Sequence, residues 1–150
     1  MQMYLVDDLG EGGEYAGFLN AHRGVLPSFE LRIFTHYQAL LDAVKSQMPD
    51  ILLADMRFDS TPRHELYGDI DGLAQTEAFG GNVERAESQV RGIQGLLICR
   101  ALRENGFTKP IILFSSLPSY TVNHVTQTLS PIYIIEGLIL RDVKAVLYQI

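Results

Sequence analysis

The chain has 150 residues, 47% of them apolar, with a formal net charge of −6 and a single cysteine. That length suits one domain with one substantial core, and an acidic balance without any run of Lys or Arg argues against direct contact with nucleic acid or an anionic membrane. Cys99 alone excludes an intramolecular disulfide framework, and with neither a basic-then-apolar leader nor an apolar stretch of membrane-spanning length the expected compartment is the reducing cytoplasm.

The first element is a short buried strand over Gln2 to Val6, closed by Asp7 and Asp8. Leu9 to Glu14 turns the chain into a helix from about Glu14 to His22, with Tyr15, Phe18 and Leu19 on one face. Gly10, Gly12 and Gly13 do not make a phosphate cradle. The G-x-G-x-x-G pattern fails at Tyr15, and Glu11 and Glu14 would repel a phosphate. Phe29 to Phe34 reads as a strand near a sheet edge, and Thr35 is placed to cap a helix over about Tyr37 to Gln47. Pro49 stops that helix.

Ile51-Leu52-Leu53-Ala54 is an uninterrupted apolar run closed by Asp55. It reads as a strand buried on both faces, such as occupies the middle of a parallel sheet. Asp55 falls at the carboxyl end, where open α/β sheets bind their ligands. A carboxylate there either does chemistry or caps the following turn. From Asp59 to Gly81 the pattern is obscure. Helical spacing begins at Asn82 and carries Ile93, Leu96, Leu97, Ala101 and Leu102 on one face up to Gly106, with Cys99 a core residue. Pro110 to Phe114 is a fourth strand closed by Ser115 and Ser116, Thr121 to Thr128 a short helix, and Pro131 to Ile135 a fifth strand. A last helix, from about Gly137 to Tyr148, sets Leu140, Val143, Leu147 and Ile150 along one side. Strand and helix alternate five times, which implies a parallel sheet covered by helices on both faces.

With Asp7 and Asp8 after the first strand, Asp55 after the third, Ser115 after the fourth and Tyr133 in the fifth, the chain resembles the receiver domain of bacterial response regulators; GLLICRALRENGFTKPIILFSS is similar to that family's third helix, fourth strand and hydroxyl site. The resemblance implies a flavodoxin-like fold with strand order 2-1-3-4-5, spanning 1–150 as a single domain. It makes Asp55 the phosphoacceptor, and Asp7, Asp8, Asp55 and the carbonyl of Arg57 the ligands of Mg²⁺. Ser115 becomes the phosphoryl contact and Tyr133 the aromatic switch. The implied partners are a histidine kinase or phosphotransfer protein and a downstream protein or output domain. Physical chemistry agrees with the ligand set, since clustered carboxylates repel unless a proton or cation sits among them, and Mg²⁺ prefers an all-oxygen site. The apolar side of the last helix fits either the core or a homodimer contact beside the fifth strand.

Two departures from the family stand out. Where the family carries Lys and then Pro after the fifth strand, this chain has Glu136 and Gly137. Glu136 would repel an acyl phosphate, and Arg57 is the nearest cation to neutralise it, so an Arg57–Glu136 pair is expected. The second departure is length. Sixty positions separate Asp55 from Ser115, about twice the family's interval, so about 59–92 is an insertion. It holds seven acids against three arginines, net −4 of the total. It is either a backward extension of the third helix to about Asn82, or a lid or docking arm, or a surface elaboration. Glu136 also keeps open a pseudo-receiver, a protein-interaction module that does not respond to phosphorylation. Other chemistries find less support: His22, His36, His64 and His124 lack metal-ligand spacing, Ser115-Ser116 lacks a nucleophile elbow, and a phosphohydrolase using Asp55 lacks a second acid-base group.

Overall fold

The computed structural model describes residues 1–150. Five strands, β1 (Gln2–Val6), β2 (Glu30–Phe34), β3 (Ile51–Asp55), β4 (Ile111–Phe114) and β5 (Ile132–Ile135), form one sheet in the order β2-β1-β3-β4-β5. Every pairing is parallel. Seven helices cover it: α1 (Glu14–Ala21), α2 (Tyr37–Ser46), α3 (Ile70–Ala74), α4 (Val83–Gly92), α5 (Gln94–Glu104), α6 (Ser119–Leu129) and α7 (Leu140–Leu147). This is the flavodoxin-like α/β architecture. No helix is long and apolar enough to cross a membrane.

Side chains that alternate along the strands build two cores. Met3, Leu5, Ile51, Leu53, Ile112 and Phe114 pack on one side with Ala16 and Leu19 of α1 and Val143 and Leu147 of α7. Tyr4, Val6, Leu52, Ala54, Ile111 and Leu113 face the other side, against α2, α5 and α6. Because the three inner strands bury both faces, they read in the sequence as continuous apolar runs.

Residues 59–92, with Phe58 just before them, add apolar side chains to the second core. Phe58, Leu66, Ile70, Ala74, Ala86 and Val90 are buried in the same cluster as the sheet. Asn82 caps α4, its Oδ1 accepting from the Arg85 amide at 3.0 Å. The helix expected to run unbroken from Asn82 to Gly106 is divided at Ile93. In a continuous helix the Gly95 amide would donate to the Arg91 carbonyl. Here the Phe58 amide takes the Arg91 carbonyl at 3.0 Å, and the Gly95 amide turns to the Met56 carbonyl at 3.0 Å. The chain leaving β3 is thus spliced into the break, and Gly95 leaves no room there: a Cβ would sit 1.9 Å from the Asp55 carbonyl oxygen.

Three local expectations are corrected. Thr35 does not cap α2; His36 does, its Nδ1 accepting from the Ala39 amide at 3.4 Å, because the first helical residue is Tyr37. The last helix starts at Leu140 and not near Gly137, which adopts a left-handed φ of 79° and turns the chain first. Ile150 lies beyond that helix and is exposed, and the buried side is carried by Val143, Val146 and Leu147.

Candidate metal site

The parallel pairing of β1 with β3 sets Val6 opposite Ala54, so the acids that follow emerge side by side at the carboxyl edge of the sheet. Carboxylate oxygens of Asp7, Asp8 and Asp55 lie within 4.8 Å of one another, a group that could hold a metal ion. Asp7 is buried to 1% exposure. Its Oδ1 accepts from the Leu9 amide at 3.1 Å, while its Oδ2 is buried with no hydrogen-bond partner. A buried acid with an unpaired carboxylate oxygen, grouped with two further acids, fits a hard cation, which takes oxygen ligands and neutralises the repulsion.

The glycines after β1 serve that acid. At Gly13, the residue before α1, a Cβ would stand 2.3 Å from Asp7 Oδ2. Gly10 turns the chain with a φ of 59°. The Gly-rich stretch therefore lets the backbone pass over a carboxylate; it is no phosphate cradle.

Electrostatics follow from burial. Asp7 is pushed up to about 7, first by desolvation and then by the charges of Asp55 and Asp8, with the Leu9 amide opposing. Asp55 is also raised, mainly by burial and further by Asp8 and Glu14, while hydrogen bonds from Tyr15 and the Met56 amide pull it down. Asp8 Oδ2 accepts from the Ser60 amide at 2.7 Å, joining the start of the insertion to the cluster.

Tyr15 was not expected at the site, yet its hydroxyl donates to Asp55 Oδ1 at 2.9 Å. Its ring lies tilted on Phe114 with centroids 4.8 Å apart. Burial and the Asp55 carboxylate raise its pKa, so the phenol stays protonated. The signal in the sequence was position alone, the first turn of the helix that follows the acidic pair.

Ser115 directly follows Phe114, which pairs with Asp55 across β3 and β4, so it stands at the same edge and is half-buried. Tyr133 pairs with Ile112, two residues short of the row formed by Asp55, Phe114 and Ile135, ~7 Å back along the strand. It is half-buried and packs towards the core shared with α1 and α7. The expected Arg57–Glu136 pair is absent. Arg57 is exposed and bound to Asp59 at 3.1 Å, the acid two residues along its own loop, and Glu136 Oε1 accepts from the Ser116 hydroxyl at 3.0 Å. No protein-family model matches the chain, and no curated protein matches it either.

Proposed function

We propose that the protein is a receiver-type module of bacterial two-component signalling that accepts a phosphoryl group on Asp55. The supporting observation is the convergence of Asp7, Asp8 and Asp55 at the carboxyl edge, with Asp7 Oδ2 buried and unpaired. Asp7, Asp8 and Asp55, with the carbonyl of Arg57, would hold Mg²⁺, which when bound neutralises charge on the oxygens of a transferring phosphoryl group. Asp55 is the nucleophile towards a phosphodonor. The Ser115 hydroxyl, at the end of β4, donates to a phosphoryl oxygen, and Tyr133 is the aromatic whose packing changes with the state of Asp55. A histidine kinase or phosphotransfer protein in the cytoplasm supplies the group, and a downstream protein or output domain reads the result.

Incubation with Mg²⁺ and acetyl phosphate, followed by intact mass under mild conditions, tests this reading. One added phosphoryl group is expected on the wild type and none on Asp55→Asn. A second reading, a pseudo-receiver that signals through protein contacts alone, draws on Glu136 standing where the family carries Lys, and on the Tyr15 hydroxyl that already occupies Asp55. A folded, Mg²⁺-binding wild type that gains no mass would favour it.

A further inference from the structure

The two oxygens of Asp55 are not equivalent. Oδ1 accepts from the Tyr15 hydroxyl at 2.9 Å and from the Met56 amide at 2.8 Å, which uses both of its lone pairs. Oδ2 takes part in neither bond. The Tyr15 ring is held on Phe114, and Phe114 is the β4 residue paired with Asp55, so the sheet that fixes the acid also fixes its donor. None of the ion pairs of the molecule involves Asp55.

We propose that Tyr15 is a positioning residue that acts through Asp55: it closes Oδ1, leaves Oδ2 with one lone pair for the cation and one for phosphorus, and shortens the life of the acyl phosphate by favouring the free carboxylate. This rests on the reading of Asp55 as phosphoacceptor. In the forward step Oδ2 forms a bond to phosphorus while the donor's P–O bond breaks and its electron pair leaves on the donor oxygen. Oδ1 then becomes a neutral acyl carbonyl. In hydrolysis a water oxygen bonds to phosphorus, the P–Oδ2 bond breaks with its pair returning to the carboxylate, and the water proton leaves with inorganic phosphate or to solvent. A hydroxyl donates roughly twice as strongly to an ionised oxygen as to a neutral one. The Tyr15 bond therefore strengthens as charge returns to the carboxylate, which speeds loss of the phosphoryl group and lowers its equilibrium occupancy.

The test follows wild type, Tyr15→Phe and Ala16→Gly after labelling with Mg²⁺ and acetyl phosphate and removal of the donor, reading phosphoryl content by intact mass over time and folding by thermal melting. Tyr15→Phe keeps the ring on Phe114 and removes only the hydroxyl. Its phosphoryl half-life is expected to be about tenfold longer than that of wild type. Ala16→Gly loosens α1 without touching Asp55, and its half-life should stay within about twofold of wild type. Labelling of the variant alone would also support the proposal, with Tyr15 then a complete brake. A half-life in Tyr15→Phe equal to or shorter than wild type overturns the inference and leaves the phosphoacceptor reading standing, as does equal lengthening in Ala16→Gly. If folded wild type and variant both remain unlabelled, the reading and the inference fall together. Tyr15→Leu, with the same expectation, replaces a Phe variant that does not fold.

Discussion

Asp7 is the most poorly accommodated carboxylate in the molecule. Desolvation, reinforced by Asp55 and Asp8, places its pKa near 7, above the ordinary carboxylate range. Below about pH 7 the folded metal-free protein therefore holds a proton on Asp7 that the unfolded chain releases at lower pH. By linkage, the stability from this group is fully present below the unfolded pKa and is lost as pH rises through about 7. Asp7→Asn removes the charge and keeps the shape. It is expected to melt at least about 3 °C higher than wild type at about pH 8 without added metal, the shift that ~1 kcal/mol gives a domain of this size. It should also lose less stability between about pH 5 and pH 8. A lower melting point at alkaline pH would contradict this account. The acids of the site were legible in the sequence because each closes a continuous apolar strand. Tyr15 was not, because a tyrosine in an apolar helical face carries no mark of the single hydrogen bond its hydroxyl makes.

Among the elements, the junction of α4 and α5 with the chain leaving β3 was the least legible. The apolar spacing after Asn82 is continuous, and nothing local announces that the Arg91 carbonyl and the Gly95 amide are both taken by residues 56–58. The break is tertiary in origin, so a helical period could not reveal it. Gly95 is its pivot: a methyl group there meets the backbone of Asp55 itself. Gly95→Ala is expected to cost ~3 kcal/mol, on the order of 10 °C in melting temperature. It should also weaken Mg²⁺ binding more than Gly24→Ala, at a glycine with open space around it. Calorimetric titration and thermal melts of the two variants decide the matter. Equal behaviour would mean that the backbone at Asp55 yields easily. Arg91 braces the same region, its guanidinium donating to the carbonyls of Phe58 and Thr61 at 2.9 and 2.7 Å.

For the molecule as a whole, the fold was legible because the signal repeats. Five strand patterns alternate with helical periods, and a parallel sheet with two covered faces is the arrangement that buries the apolar runs of its inner strands. The sheet's carboxyl edge then collects Asp7, Asp8 and Asp55 on a chain whose net charge is already −6. A cation bound there only in the folded state must stabilise it, by ~2.7 kcal/mol at a hundredfold excess over the dissociation constant. Mg²⁺ is expected to raise the melting temperature by several degrees beyond NaCl of the same ionic strength, and Asp55→Asn to abolish most of that gain. An equal rise with NaCl would reduce the effect to general screening of an acidic surface.

The bond from the Ser60 amide to Asp8 Oδ2, 2.7 Å long, joins two regions that lie 52 residues apart in the chain. An amide bonded to an ionised carboxylate holds more firmly than one bonded to a neutral acid or to a carboxylate shared with a cation. The Ser60 amide proton is therefore a natural gauge: its exchange with solvent deuterium would quicken when Asp8 is engaged elsewhere, so a single amide on an exposed loop reports whether the sheet edge beside it has taken up a ligand.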